Sequence, residues 1–165
     1  MTDQQADLEW RDGQVPVSTR FDDPYYSLEN GVEETEHVFL AGNDLPARFC
    51  DGFHVAELGF GTGLNFLVTL AAWRAAGVTG KLHFTSFEAY PLPTADRTRA
   101  LAAFAQLPIE VLAENPVPAL SGPDFELRVI VGDVFCCEIA VVECSRVRIF
   151  GSSSVVDRNY RAIGF

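Results

Sequence analysis

The sequence predicts an α/β fold in which parallel strands alternate with helices, on three observations. An apolar run at 53–57 indicates a short strand and leads directly into a glycine-rich turn. Residues 64–76 then carry apolar side chains at helical spacing. Two further runs, at 82–88 and 125–131, have the alternation and flanking breakers of strands. Strands separated by a helical segment are typical of a parallel sheet, so we expect a Rossmann-like order of elements.

The turn after the first strand contains three glycines, Gly59, Gly61 and Gly63. Glycine accepts positive φ and lets a ligand approach the backbone closely, because it has no Cβ. The first turn of the following helix offers unpaired N–H groups and a partial positive charge. At the carboxyl end of a parallel strand, these features predict a cradle for a nucleotide-like cofactor. The structural alternative is an ordinary tight turn.

The spacing of the glycines narrows the choice of cofactor. The dinucleotide fingerprint Gly-x-Gly-x-x-Gly requires a third glycine where this chain has Leu64. No Lys-Ser/Thr pair follows the glycines, which excludes the phosphate loop of nucleoside triphosphatases. An acid directly before a Gly-x-Gly-x-Gly loop resembles motif I of S-adenosylmethionine-dependent methyltransferases. Glu57 then either fixes the loop or meets the ammonium group of the cofactor.

Two more acids end predicted strands. Glu88 ends the second strand, about 25 residues beyond the loop, where a ribose-binding acid is expected. Asp133 follows the third strand and is placed to reach an adenine amino group. The alternatives are a solvated strand end for Glu88 and a simple turn residue for Asp133, since Gly-Asp is common in turns.

Composition limits the class of protein. The chain of 165 residues is long enough for one domain with a core, and no apolar run is long enough for a membrane span. With 12 basic and 23 acidic residues, the net charge is −11, and an acidic protein repels the phosphates of RNA. An RNA substrate therefore requires either a partner domain or a local arginine surface. Arg97 and Arg99 are the candidates for such a surface. The polar, acidic start is not a signal peptide, and we expect a cytoplasmic protein.

Cysteine usage agrees with that compartment. The cysteines show neither a Cys-x-x-Cys pair nor a histidine spacing typical of zinc, so we predict reduced thiols and no metal site. These cysteines are Cys50, Cys136, Cys137 and Cys144.

The segment before the first sheet strand, 1–52, predicts an extension built on a β-hairpin. Alternation at 37–40 suggests a strand, after a turn at 29–31, and 45–49 suggest the start of a helix. Such an extension can cover the cofactor or shape the substrate entrance. Tyr25 and Tyr26 are candidates for stacking on a base; the alternative is packing of both rings on the core.

Several motifs between residues 18 and 133 resemble the methyltransferase domain of the bifunctional tRNA-modifying MnmC proteins and their single-domain relatives. The segments that carry the resemblance are 21–27, 34–43, 59–67 and 86–92, among which Gly-Phe-Gly-Thr-Gly-Leu-Asn-Phe-Leu at 59–67 is the most specific. The resemblance implies a Rossmann-like methyltransferase fold that binds S-adenosylmethionine. The residues it assigns to the cofactor are Glu57, Gly59, Phe60, Gly61, Thr62, Gly63, Asn65, Glu88 and Asp133.

The implied reaction is methyl transfer to the aminomethyl group of a modified wobble uridine in tRNA, which forms 5-methylaminomethyl-2-thiouridine. An FAD-dependent oxidoreductase, fused or separate, is the implied partner on the same nucleoside. The alternatives are an inactive or cofactor-binding remnant of such a domain and, disfavoured by Leu64, an NAD-dependent oxidoreductase.

The resemblance stops near residue 133. The family continues with a strand and an acid thought to hold the amine, whereas 134–165 match none of this, so no catalytic residue is assigned. We therefore divide the chain into an extension (1–52), a cofactor-binding half (53–133) and a divergent tail (134–165), as a truncated or frameshifted gene would produce. An incomplete sheet would leave the first strand as an exposed edge, and we expect 139–143 to pair there.

Overall fold

The computed structural model describes residues 5–27, 29–113 and 118–132, and the backbone of 147–151. Its strands, in chain order, are β1 (Leu8–Arg11), β2 (Val15–Ser18), β3 (Asp23–Pro24), β4 (His54–Leu58), β5 (Leu82–Glu88), β6 (Ala119–Ser121), β7 (Phe125–Val131) and β8 (Val147–Gly151). Its α-helices are α1 (Gly31–Glu34), α2 (Leu64–Ala75) and α3 (Thr94–Leu101).

Five strands form the main sheet in the order β6-β7-β5-β4-β8. β7, β5, β4 and β8 run parallel, and only β6 is antiparallel to its neighbour. The α/β class is confirmed, and β4 lies inside the sheet between β5 and β8. The predicted exposed edge on β4 is wrong, because β8 pairs along its whole length. The segment expected there, 139–143, lies outside the described residues.

α2 is the buried helix of the fold. It is apolar almost all round, and Phe66, Leu67 and Leu70 are fully enclosed. The Phe66 ring packs edge to face on Phe84 of β5, at a centroid distance of 5.3 Å. Gly77, at a φ of +64°, follows the end of the helix, since glycine adopts the left-handed conformation there without strain.

The N-terminal segment is a hairpin followed by short helical turns. β1 and β2 pair antiparallel, and β3 adds to β2. The predicted hairpin therefore exists, but it lies at 8–18. The strand expected at 37–40 is wrong, because Thr35–Leu40 is a π-helical turn that continues α1. The helix start expected at 45–49 is wrong, because residues 45–48 form turns.

The N-terminal segment and the sheet share one hydrophobic core, to which Tyr26, Leu40, Phe53, Leu67 and Leu112 all contribute. This shared core holds the segment over the carboxyl ends of β4 and β5. Among the described residues, no helix has the length and apolar character needed to cross a bilayer.

Candidate functional site

A cavity of about 330 Å³ lies between the glycine loop and the N-terminal segment. It opens at the carboxyl ends of the strands, which is where open α/β sheets bind their ligands. Residues from the N-terminal segment form one wall: Ser18, Phe21, Asp23, Pro24, Tyr25, Tyr26, Ser27, Gly31, Glu34, Thr35 and Phe39. The loop, α2 and the end of β5 form the other wall: Gly59, Phe60, Gly61, Thr62, Leu64, Asn65, Glu88 and Tyr90.

The glycine loop needs its glycines for two separate reasons. Gly59, Gly61 and Gly63 all have positive φ, at +88°, +53° and +83°. There is also no room for a side chain at two of them. A Cβ on Gly61 would lie 3.1 Å from the Tyr25 ring, and a Cβ on Gly63 would lie 2.6 Å from Leu112. The loop is therefore a close-packed bend whose backbone faces the cavity.

Glu88 ties the glycine loop to the end of β5. Its Oε2 accepts a hydrogen bond from the Gly61 N–H at 2.8 Å, and its Oε1 accepts one from the Tyr90 N–H at 2.8 Å. Burial raises the pKa of Glu88, while these backbone donors favour its charged form. Glu88 also lines the cavity, where its carboxylate can accept from ligand hydroxyls.

Glu57 lies beneath the loop and does not line the cavity. Its side chain is 1% exposed, and it accepts hydrogen bonds from Asn65 Nδ2 and Ser86 Oγ, both at 2.8 Å. Asn65 Oδ1 lies 2.9 Å from Thr35 Oγ1 in the N-terminal segment. Burial raises the pKa of Glu57 to about 8. Two roles were predicted for Glu57, holding the loop in place or contacting the ammonium group of the cofactor. Its position beneath the loop agrees with the first.

The two tyrosines of the N-terminal segment differ in their environments. Tyr25 is half-buried against Gly61, and burial together with the nearby Glu88 carboxylate raises its pKa to about 12. Tyr26 is 7% exposed, its ring packs edge to face on Phe104, and its hydroxyl donates to the Ala100 carbonyl at 2.8 Å. The burial of Tyr26 does not fit the predicted stacking on a base and corresponds to the core-packing alternative.

The charged side chains of the cavity wall share one sign. Among the described residues the wall contains Asp23, Glu34 and Glu88 but no lysine, arginine or histidine. Aromatic rings supply much of the remaining surface, from Phe21, Tyr25, Tyr26, Phe39, Phe60 and Tyr90. Carboxylates and aromatic faces both attract cations, so the wall favours a positively charged ligand.

The structure thus brings most of the predicted site residues together. Those that line the cavity are Tyr25, Tyr26, Gly59, Phe60, Gly61, Thr62, Asn65 and Glu88. Glu57 lies beneath the loop, Gly63 belongs to the loop but does not line the cavity, and Asp133 lies outside the described residues. The N–H of Gly132, just before Asp133, donates to the Glu88 carbonyl at 2.9 Å, so the end of β7 lies beside the end of β5.

The predicted arginine surface is not formed as expected. Arg97 is 2% exposed, so it is not part of a positive surface, and burial lowers its pKa. Arg99 is exposed but stacks over the Trp10 ring at 3.8 Å and donates to the Gly13 carbonyl. Sequence reasoning missed Phe21, Asp23, Glu34 and Tyr90 in the cavity wall. Their position inside the segments 21–27, 34–43 and 86–92, which carry the family resemblance, was the available signal.

Known proteins with similar sequences are of one kind. No protein-family model matches the chain. The bifunctional MnmC protein of Aeromonas hydrophila, named for biosynthesis of tRNA 5-methylaminomethyl-2-thiouridine, is 49% identical over 110 residues, which cover 62% of this chain. The MnmC protein of Stutzerimonas stutzeri is 40% identical over 153 residues, which cover 81% of it. The chain is MnmC-like.

The likeness to MnmC concerns one part of much longer proteins. The chain spans 16% of the A. hydrophila protein and 23% of the S. stutzeri protein. The crystal structure of MnmC2 from Aquifex aeolicus shares the fold of this MnmC-like chain, with a TM-score of 0.52, 21% identity, and coverage of 79% of this chain and 44% of that one. The predicted methyltransferase type of fold is confirmed.

Proposed function

We propose that this chain binds S-adenosylmethionine and takes part in methyl transfer to the aminomethyl group of a modified wobble uridine in tRNA. The names of its MnmC relatives support the pathway, because they specify tRNA 5-methylaminomethyl-2-thiouridine biosynthesis. The carrying observation for the cofactor is the cavity wall, whose charged side chains are all acidic among the described residues.

The charge of the wall discriminates between the two candidate cofactors. S-adenosylmethionine carries a sulfonium and an ammonium group, whereas NAD carries a pyrophosphate. Asp23, Glu34 and Glu88 attract the first and repel the second. The size is also suitable, since a cavity of about 330 Å³ is within the range of small-molecule sites. The charge of the wall thus disfavours NAD independently of the glycine spacing.

Each part of the site then has a role. Glu88 is the residue we assign to the ribose hydroxyls, and the backbone of 59–63 is the surface for close approach. Glu57 and Asn65 hold that backbone in place through their hydrogen bond. The bound cofactor supplies an activated methyl group. Asp23 or Glu34 is available to orient the acceptor amine and to receive its proton.

The proposed reaction also implies a partner enzyme and a cellular location. We infer that an FAD-dependent oxidoreductase acts on the same nucleoside, because the relatives are named as bifunctional. A tRNA substrate also implies the cytoplasm. The contact of Asp133 with the adenine amino group of the cofactor stays a prediction.

Titration calorimetry with S-adenosylmethionine and with NAD tests the cofactor. We expect S-adenosylmethionine to bind and NAD not to bind. Glu34→Gln removes one wall charge and should weaken S-adenosylmethionine binding about fivefold. Glu33→Gln, the same change at an exposed neighbour outside the cavity wall, is the matched control and should have no effect. Binding of NAD alone would contradict the proposal.

A second experiment separates an active enzyme from a remnant. Hypomodified tRNA that carries the free aminomethyl group is incubated with the chain and radiolabelled S-adenosylmethionine. Label in the tRNA supports the proposed transfer. Cofactor binding without label supports the alternative of a cofactor-binding remnant.

A further inference from the structure

Beside the cavity lies a second hollow of about 220 Å³, and the two share Ser18, Phe21 and Tyr90 in their walls. The other residues of the second hollow are mostly polar: Gln5, Ala6, Asp7, Thr19 and Arg20. Polar side chains such as those of Gln5 and Asp7 can donate to or accept from the edge of a heterocyclic base. The shared wall puts the second hollow next to the proposed cofactor site.

Arg20, in the wall of the second hollow, forms a cluster of planar groups with Phe21 and Tyr90 of the shared wall. The Arg20 guanidinium lies 4.4 Å from the centroid of the Tyr90 ring and 5.9 Å from that of Phe21. The two rings meet edge to face at 6.0 Å. Phe21 is 52% exposed, so it remains accessible to a ligand.

The surroundings of Arg20 leave its charge available to a ligand. Within the part of the chain that the structure describes, no carboxylate pairs with it, whereas Arg74 pairs with Asp124 at 2.6 Å. In a chain of net charge −11, an exposed guanidinium without a carboxylate partner is a local point of attraction for phosphate. An aromatic face, a stacked guanidinium and an adjoining polar hollow are the features with which proteins bind unstacked RNA bases.

We propose that this cluster of Arg20, Phe21 and Tyr90 is a stacking surface for a nucleobase of the RNA substrate, with the second hollow receiving the edge of that base. The proposal rests on the proposed function, since it presumes an RNA substrate next to the cofactor. It replaces the stacking role predicted for Tyr26, whose ring is buried.

The test is a comparison of RNA binding by the wild-type chain and its variants. A labelled RNA stem-loop is titrated in fluorescence anisotropy, alongside the same stem-loop with abasic loop positions. Phe21→Ala should weaken binding of the intact loop about tenfold, the order expected for one stacked base, and Phe21→Trp should restore it. On the abasic loop, Phe21→Ala should cause no further loss, because the base it contacts is already missing.

Val38→Ala is the matched control. Val38 is also 52% exposed but lines neither cavity, so its truncation should leave RNA binding unchanged. Three results would overturn the proposal. Phe21→Ala binds the intact loop as tightly as the wild type does, or it loses the same affinity on the intact and abasic loops, or the wild-type chain binds no RNA. Calorimetry with S-adenosylmethionine on the same samples keeps the two proposals distinct, because failure of cofactor binding contradicts only the proposed function.

Discussion

Replacement of the buried acid beneath the glycine loop, Glu57→Gln, should make the protein more stable at neutral pH. Glu57 is 1% exposed, and burial raises its pKa to about 8 from an ordinary 4.5. The folded protein therefore holds a proton on this group that the unfolded chain has lost, throughout the range between these values. Glutamine mimics the neutral carboxyl, and it can still accept from Asn65 and pair with Ser86.

The size of the effect follows from linkage. Because the folded pKa is raised, the stability contribution of Glu57 is complete below about pH 4.5 and is lost as the pH rises towards about 8. Each pH unit in that window lowers the free energy of unfolding by about 1.4 kcal/mol. Between about pH 5.5 and about pH 7.5, the wild type should thus lose roughly 2 to 3 kcal/mol relative to Glu57→Gln.

Urea unfolding of both proteins at a series of pH values measures this difference. Other titrating groups are common to the two chains, so they cancel when the two curves are subtracted. Glu36→Gln makes the same chemical change at an exposed position and should give a flat difference. The expected result is that the free energy of unfolding of Glu57→Gln, minus that of the wild type, increases as the pH rises. If this difference does not change with pH, or increases as the pH falls, Glu57 is charged in the folded protein and the prediction is wrong.

Three further predictions follow from particular contacts. Gly63→Ala should lower the free energy of unfolding in urea by about 2 to 4 kcal/mol, because φ is +83° and a methyl of the buried Leu112 lies 2.6 Å from the new Cβ. Gly13→Ala is the control and should cost about 1 kcal/mol, because φ is +72° but no atom lies within 4 Å. Equal losses in the two variants would contradict the role given to Leu112. Glu88→Gln leaves one acceptor oxygen for two backbone N–H donors, so calorimetry should show at least about tenfold weaker S-adenosylmethionine binding; unchanged affinity would remove Glu88 from the site. Asp124→Asn should cost less than about 1 kcal/mol, because its ion pair with Arg74 is about one-third exposed, and a larger loss in thermal unfolding would contradict the weak contribution expected of surface pairs.

Local patterns in the sequence were sufficient where local physics decides the structure. The strands at 82–88 and 125–131 appear with the predicted bounds, and α2 begins at Leu64 as predicted. Alternation or helical spacing of apolar side chains determines these elements, and Gly77 determines the end of α2. Where the pattern was short and ambiguous, prediction failed. Residues 37–40 form a π-helical turn because α1 continues into them and Leu40 packs into the shared core.

The sequence by itself determined the α/β order, the glycine bend and the family to which these motifs point. Only the tertiary structure decided how the acids are used. Glu57 and Glu88 are alike in sequence, each at a strand end, but one lies beneath the loop at 1% exposure and the other faces the cavity. The physical reason is that burial and charge environment depend on which distant segments pack together. Here Tyr25 packs against Gly61 of the loop, and Thr35 bonds Asn65 of α2.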